Sequence, residues 1–206
     1  DIYLEYETVS DPQISPDGTQ IVYTRQFVDK QADRRESALW VMNADGSKNR
    51  FLVRGSGARW SPTGDRIAYT AQGDPRGTQI FVRYMDAEGA ITQVTRVEKA
   101  PGTVTWSPDG TRLGFTMNVD AKTSWPIPMP RAPEGAKWVE TPRIVERLDY
   151  RSDGTGFDDD AYRHVFAVPA TGGTPRQLTD GHWNHNGVEW TPDSTQILFT
   201  SMRVPD

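Results

Sequence analysis

One short pattern occurs four times in this chain, and that repetition constrains the fold more than any other feature of the sequence. Each copy places a Ser-Pro or Thr-Pro pair just before a run of β-branched and aromatic residues, the residue types that strands favour. The copies are PQISPDGTQIVYT at 12–24, ARWSPTGDRIAYT at 58–70, VTWSPDGTRLGFT at 104–116 and VEWTPDSTQILFT at 188–200. A stretch that recurs in this way is a structural unit rather than a single site.

Each copy predicts two strands joined by a tight turn. Pro presets φ for the first turn position, and Asp and Gly accept the backbone geometry that follows. The Ser or Thr before the Pro is named the anchor here, and the four anchors are Ser15, Ser61, Ser107 and Thr191. The residues of the turns are also predicted to be structural, and they are Pro16, Asp17, Gly18, Pro62, Gly64, Pro108, Asp109, Gly110, Pro192 and Asp193.

A second hairpin follows each of the first three copies, in residues 38–53, 79–95 and 164–179. Two hairpins make a four-stranded antiparallel meander of about 40–50 residues, which is the period of a β-propeller blade. The sequence therefore predicts an all-β chain, a β-propeller of four-stranded antiparallel blades. A sandwich of short strands is the alternative fold, because it has turn signals at similar spacing, but it does not predict an aligned repeat.

The blade boundaries follow from the repeat. We expect blade 1 at about 12–53, blade 2 at about 58–95, blade 3 at about 104–179 with an insertion at about 118–163, and half of blade 4 at about 188–206. Propellers typically close with 4–8 blades, and three and a half blades would leave strand edges bare. We therefore expect a larger, seven-bladed propeller, completed by the same chain or a separate one. A homo-oligomer is another way to cover the edges.

Composition excludes several classes of function. The net charge of −5, with no long basic run, argues against nucleic acid as a partner. No stretch approaches the ~18 apolar residues of a membrane span. The absence of cysteine rules out disulfides and thiolate catalysis. No G-x-S-x-G nucleophile motif is present, because the nearest string, RGSGAR at 54–59, has the wrong spacing. We expect no catalytic residue in this chain and no cofactor.

The histidines and one acidic loop are the candidates for a metal site, and neither fits one. His164 heads a predicted strand, while His182 and His185 lie in DGHWNHNG at 180–187 without the third or fourth ligand that zinc requires. That segment is predicted to be a polar loop between blades, with a loop facing the substrate cavity as the alternative. The acidic stretch RSDGTGFDDDAY at 151–162 does not match the register of a calcium-binding EF-hand loop and is interpreted as a solvated loop.

Five stretches together indicate a family. They are SDPQISPDGTQIVYTR at 10–25, DRRESALWVMNADGS at 33–47, WSPTGDRIAYTA at 60–71, VERLDYRSDGTGF at 145–157 and HVFAVPATGGTPRQLTDG at 164–181. They resemble the prolyl oligopeptidase family of serine peptidases, most closely its acylaminoacyl-peptidase and dipeptidyl-peptidase-like branch. The SPDG turn by itself also resembles the TolB-like repeat.

The resemblance implies an N-terminal propeller set over a C-terminal α/β-hydrolase domain. That domain is expected beyond these residues and would carry the Ser–Asp–His triad. The resemblance also implies that the propeller admits only short peptides and can hold the end of the substrate. Members of this kind occur in the cytoplasm and in the periplasm, and the absence of an initiator Met favours a processed, periplasmic form slightly.

The insertion is the segment most informative about function. It begins with the Pro-rich run SWPIPMPRAPEGAKW at 124–138, which predicts an extended surface segment, and continues with RIVERLDYR at 143–151. Long loops outside the repeat are often functional, and an Arg here could pair with a peptide carboxylate. The candidate substrate-binding residues are Arg147, Tyr150, Arg151 and His185. Alternatively, the charges of the insertion bridge blades or dock the hydrolase domain.

Three functions are compatible with the sequence. The first is the propeller portion of a serine peptidase that hydrolyses short peptides, in which this chain gates access and has no activity alone. The second is a non-enzymatic TolB-like propeller that acts as a protein-binding scaffold. The third, a propeller lyase or glycosidase, would need paired carboxylates on a cavity face, which cannot be assigned from the sequence.

Overall fold

The computed structural model describes residues 5–121, 133–136, 145, 150–153, 156–157 and 161–203. The strands are β1 Thr8–Ile14, β2 Gln20–Asp29, β3 Arg34–Asn43, β4 Arg50–Arg54, β5 Ser56–Trp60, β6 Arg66–Gly73, β7 Gly77–Tyr84, β8 Ile91–Gln93, β9 Gly102–Trp106, β10 Arg112–Asp120, β11 Arg151–Ser152, β12 Gly156–Phe157, β13 Ala161–Pro169, β14 Arg176–Gln177, β15 His185–Trp190 and β16 Ile197–Ser201. Within these ranges, no helix is long and apolar enough to cross a bilayer.

The strands form antiparallel meanders in chain order. Sheet 1 contains β1 to β4, sheet 2 contains β5 to β8, sheet 3 contains β9, β10, β13 and β14, and sheet 4 is the pair β15–β16. The predicted all-β class with four-stranded antiparallel blades is confirmed. The β10–β13 pairing reaches Asp120 and Ala161, so the regular part of sheet 3 extends past the expected ends of the insertion. Inside the insertion, β11 and β12 form a separate small hairpin.

Apolar side chains from neighbouring sheets pack face to face. Successive residues of β6 pack into hydrophobic clusters on opposite faces of sheet 2, because side chains alternate along a strand. Ile67 packs in the cluster shared with sheet 1, and Ala68 packs in the cluster shared with sheet 3. Stacked aromatic rings strengthen each layer, as in the pair Phe115 and Phe166 with ring centroids 5.5 Å apart. Sheet 2 is therefore apolar on both faces, as an internal blade must be.

The antiparallel order gives each sheet two distinct ends. The anchored turns and the turns between third and fourth strands share one end, the turn end, where Ala44 N donates to Thr19 O and Met85 N donates to Asp65 O. The other end, named the insertion end, holds the turns between second and third strands and the connections between sheets. It also holds the paired strand ends Asp120 and Ala161, between which the insertion stands in the sequence. Residues that are distant in sequence therefore come together at the turn end and at the insertion end.

Candidate functional site

The anchored turns are built by a repeated set of hydrogen bonds. In the third copy, Ser107 Oγ donates to Asp109 Oδ1 at 2.5 Å and accepts from Arg112 N at 2.9 Å. Thr111 N also donates to Asp109 Oδ1, at 3.0 Å. The Ser107 hydroxyl, followed by the Thr111 backbone and side chain, lowers the pKa of Asp109 to about 2. The Ser107 hydroxyl is therefore engaged in the hydrogen bonds of its turn.

The second copy reaches the same geometry with a different residue order. Its turn reads SPTGD, so Thr63 stands where the other copies have Asp. Asp65 supplies the carboxylate instead, and its Oδ1 accepts from Ser61 Oγ at 2.8 Å and from Thr63 Oγ1 at 2.6 Å. In the second copy, a carboxylate two residues later in the sequence thus accepts the hydrogen bond of the anchor hydroxyl.

The chain's three histidines gather at the insertion end, where sheet 3 meets sheet 4. His164 lies inside β13 and His185 is the first residue of β15; both are buried, with ring centroids 5.2 Å apart. His185 also meets the edge of the Phe199 ring at 5.1 Å. Tyr162 stacks on His182 with centroids 5.4 Å apart. We name this set of residues the histidine junction.

Hydrogen bonds define the proton positions in the histidine junction. His185 Nδ1 lies 3.1 Å from the carbonyl oxygen of Arg163, so Nδ1 must carry the proton that this oxygen accepts. His164 Nδ1 lies 3.2 Å from Thr179 Oγ1. Burial, and then the charge of His185, lower the pKa of His164, while Asp180 acts in the opposite direction. Burial therefore favours the uncharged form of His164.

Polar contacts tie β13 to the segment that follows sheet 3. Arg163 N donates to Asn184 Oδ1 at 2.9 Å, and Arg163 Nη1 donates to Asn186 Oδ1 at 2.6 Å. Ser201 Oγ donates to the carbonyl oxygen of Asn184 at 3.1 Å. These bonds order the connection between the sheets directly below the base of the insertion.

The structure describes three of the four candidate substrate-binding residues, Tyr150, Arg151 and His185. Arg147 lies outside the described residues. Tyr150 is exposed and packs on Phe157 with centroids 6.1 Å apart, and the Arg151 guanidinium lies 5.9 Å from the centre of the same ring. Two candidates thus meet on an exposed aromatic residue of the β11–β12 hairpin.

His185 differs from its sequence-based placement. It was predicted in a polar loop, but it begins β15, pairs with Ser201 and is only 1% exposed. The reason is that β15 starts earlier than the apolar pattern of the repeat indicates. His164 lies inside β13 rather than at its head. The meeting of His164 with His185 was missed, because contacts between blades leave no periodic signal in the sequence.

The part of the chain that the structure describes contains no assembled set of metal ligands. There, no group of three or more His, Cys, Asp or Glu side chains is placed to hold an ion. In the acidic stretch 151–162, residues 154–155 and 158–160 lie outside the described residues. The Nε2 atom of His185 is buried and has no hydrogen-bond partner among the described residues.

Comparisons with known proteins identify relatives among peptidases. No family model matches the chain. The chain is 26% identical over 199 residues to the uncharacterized peptidase YuxL of Bacillus subtilis, an alignment that covers 94% of this chain and 29% of that protein. It is 31% identical over 115 residues to dipeptidyl-peptidase 5 of Porphyromonas endodontalis, covering 52% of this chain and 16% of that protein. The chain thus spans less than a third of the curated relatives it matches.

Solved structures share the fold. The acylaminoacyl peptidase of Pyrococcus horikoshii superposes with a TM-score of 0.64 at 17% identity, over 85% of this chain and 25% of that one. A putative TolB of Agrobacterium tumefaciens superposes with a TM-score of 0.53 at 16% identity, over 97% of this chain and 73% of that one. The chain therefore has the fold of a β-propeller portion and is similar in sequence to two proteins named as peptidases.

Proposed function

We propose that this chain is the propeller portion of a serine peptidase that hydrolyses short peptides of the acylaminoacyl or dipeptidyl kind. Its role is to restrict entry to the active site and to help hold the end of the substrate. The observation that carries the proposal is the similarity to peptidase YuxL along 94% of the chain. The fold shared with acylaminoacyl peptidase supports it. We place the chemistry outside this chain.

The anchor hydroxyls of the described residues give the reason to assign the nucleophile to another domain. Acyl transfer by a serine needs a hydroxyl in contact with a general base. The hydroxyls of the anchors are engaged in the repeated turns, and Ser61 and Ser107 are fully buried there. The nucleophile is therefore assigned to a hydrolase domain, in the same chain or a separate one. Short peptides are the substrates, because a propeller over the active site excludes folded proteins.

The exposed hairpin of the insertion is the part of this chain that we assign to substrate contact. Tyr150 and Phe157 present an aromatic surface, and the guanidinium of Arg151 lies beside it. An arginine binds a carboxylate through two parallel hydrogen bonds, and an aromatic ring packs on an apolar side chain. This pairing suits one end of a short peptide. Arg147 is proposed as a second cation of the same segment.

The test uses the intact protein and two families of chromogenic substrate. One family has an acetylated amino acid and the other a free dipeptide, each linked to p-nitroaniline. We expect hydrolysis of at least one family and labelling of a serine by a fluorophosphonate probe. Absence of both hydrolysis and labelling would contradict the proposal and favour a protein-binding scaffold.

A variant of the insertion tests the role of this chain separately. Arg151→Ala is expected to raise KM by about 5-fold and leave kcat within about 2-fold, because the residue contributes to binding and not to the transition state. Arg35→Ala, which removes an exposed arginine of β3, is the matched control and is expected to change neither constant. An unchanged KM in Arg151→Ala would remove this residue from the site while leaving the peptidase assignment in place.

A further inference from the structure

An arginine that recurs in the repeat joins neighbouring sheets at the turn end. Arg66 stands five residues after the anchor of the second copy. Its guanidinium carbon lies 5.3 Å from the centre of the Trp106 ring in sheet 3, and its Nη2 donates to the carbonyl oxygen of Gly110 at 3.3 Å. The guanidinium therefore stacks on a tryptophan and binds a turn carbonyl of the next sheet.

The next copy repeats this arrangement. Arg112 stands five residues after its anchor, lies 4.9 Å from the centre of the Trp190 ring, and donates through Nη2 to the carbonyl oxygen of Ser194. Two successive junctions thus hold a guanidinium in the same seat. The seat consists of the tryptophan before an anchor and the carbonyl three residues after that anchor.

The junction between sheets 1 and 2 has the seat but lacks the arginine. The equivalent residue is Gln20, while Trp60 and Gly64 occupy the two positions of the seat. Trp60 Nε1 donates to Gln13 O at 3.0 Å, as Trp106 Nε1 donates to a sheet 2 carbonyl at 2.9 Å. The Trp60 ring is therefore held in the same way as the Trp106 ring. We name this place the Gln20 cleft.

The Gln20 cleft is a cavity of about 480 Å³ that is open to solvent. Its lining combines aromatic rings with carboxylates, and the residues that matter are Asp17, Gln20, Trp60, Asp65, Tyr84 and Asp86. This volume is that of a small-ligand site. A site with an aromatic face and several carboxylates suits a flat cation.

The charge at the Gln20 cleft is negative. Each of its three carboxylates accepts hydrogen bonds of the chain through Oδ1, from Thr19 N to Asp17, from Ser61 Oγ to Asp65 and from Gly89 N to Asp86. Arg66 lies 5.6 Å from the centre of the Tyr84 ring and 3.3 Å from Asp65 Oδ1. Arg83 donates to the carbonyl oxygen of Gly89 at 2.8 Å, beside Asp86. Three carboxylates thus line the cleft, whereas neither of these two arginines is among its lining residues.

We propose that the Gln20 cleft binds the guanidinium of an arginine side chain presented by a partner peptide or protein. The bound guanidinium would stack on Trp60, donate a hydrogen bond to the carbonyl oxygen of Gly64, and face the cleft carboxylates. The two filled junctions serve as internal templates for this geometry. Lysine fits less well, because its compact ammonium neither stacks as a plane nor donates in a fork.

The experiment titrates the intact protein with N-acetyl-arginine amide and follows tryptophan fluorescence or heat. The citrulline analogue, which has the same shape without the charge, is the matched ligand control. We expect the arginine compound to bind at least about 10-fold more tightly than the citrulline compound, because the cation–π attraction and the charge-assisted hydrogen bonds both need the positive charge. Equal affinities, or no binding of the arginine compound at millimolar concentration, would overturn the proposal.

Two variants locate the binding. Gln20→Arg gives the cleft its own guanidinium and is expected to weaken binding at least about 10-fold while raising the thermal midpoint. Gln31→Arg adds the same charge at the insertion end of sheet 1 and is expected to bind like the unmodified protein. Unchanged binding in a folded Gln20→Arg variant would overturn the proposal. Neither measurement depends on peptide hydrolysis, so the outcome is independent of the proposed function.

Discussion

At the scale of single residues, the turn carboxylates make stability depend on pH. Hydrogen bonds from Ser107 and then Thr111 lower the pKa of Asp109 to about 2, and hydrogen bonds from Thr191 and then Thr195 do the same for Asp193. A carboxylate with a lowered pKa contributes stability that is complete above its unfolded pKa of about 3.8. That contribution is lost as the pH falls towards about 2, because the unfolded chain then binds the proton more readily.

Asp109→Asn tests this dependence. At neutral pH we expect the variant to unfold at a lower urea concentration, because a neutral amide accepts the same hydrogen bonds less strongly. Between about pH 4 and pH 2 the difference from the unmodified protein should shrink as the native carboxylate is protonated. Urea unfolding followed by tryptophan fluorescence measures the difference. A gap between the two midpoints that stays constant over this range would contradict the assigned cause.

Sequence reasoning was most successful at these turns and least successful at contacts between blades. The four turns could be predicted because Ser, Pro, Asp and Gly each have a local physical reason to stand there. His164 and His185 could not be paired, because their contact depends on how β13 and β15 pack across a junction. The fifth residue after the anchor is Arg66 and Arg112 in the two middle copies and Gln20 and Gln196 in the outer two, so the sequence shows the difference at the Gln20 cleft. The sequence does not show that Arg66 and Arg112 each stack on a tryptophan of the next sheet, and this contact is what identifies the cleft as a seat without its arginine.

At the scale of elements, the single-residue connection between sheets 1 and 2 requires glycine. Gly55 links β4 to β5 with φ +139°, in the region that side chains avoid. A Cβ at this residue would lie 2.6 Å from the carbonyl oxygen of Thr70 and 2.8 Å from Cδ2 of Tyr69. Both neighbours belong to β6, and Tyr69 is part of the core. Neither can move without disturbing the sheet.

Gly55→Ala is therefore expected to destabilise the fold by about 3 kcal/mol or more, the sum of backbone strain and overpacking. Gly46→Ala is the matched control. Gly46 also has a positive φ, of 83°, but a Cβ there meets nothing within 4 Å, so only strain of about 1 kcal/mol is expected. Thermal and urea unfolding compare the two variants. Equal losses would show that the contact with β6 carries no energy.

The length and position of each strand explain how well the sequence predicts where it begins and ends. The central strands β2 and β6 contain the β-branched and aromatic runs of the repeat, and both extend beyond those runs. The outer strands β8 and β14 are only three and two residues long, because an edge strand has one partner and little apolar surface to bury. The insertion has no repeat to align, and its Pro-rich run lies largely outside the described residues.

At the scale of the whole molecule, the fourth copy differs from the others in the exposure of its apolar side chains. The aromatic residue eight positions after the anchor is 8%, 1% and 0% exposed in Tyr23, Tyr69 and Phe115. Its equivalent in sheet 4, Phe199, is 39% exposed, and the neighbouring Leu198 is 63% exposed. In the described residues, β16 pairs with β15 alone. Among the described residues, sheet 4 therefore presents apolar side chains beside a strand edge that none of them pairs, a combination that favours association.

The isolated 206-residue chain is consequently expected to self-associate in proportion to its concentration. Leu198→Lys should shift the population towards monomer, because a charge on the edge strand opposes both edge pairing and apolar contact. Gln196→Lys, which adds the same charge at the adjoining turn, is the matched control and should associate like the unmodified chain. Sedimentation velocity over a range of concentrations measures the mass. A chain that stays monomeric throughout would mean that sheet 4 needs no cover, and the apolar side chains of β16 would then require another explanation.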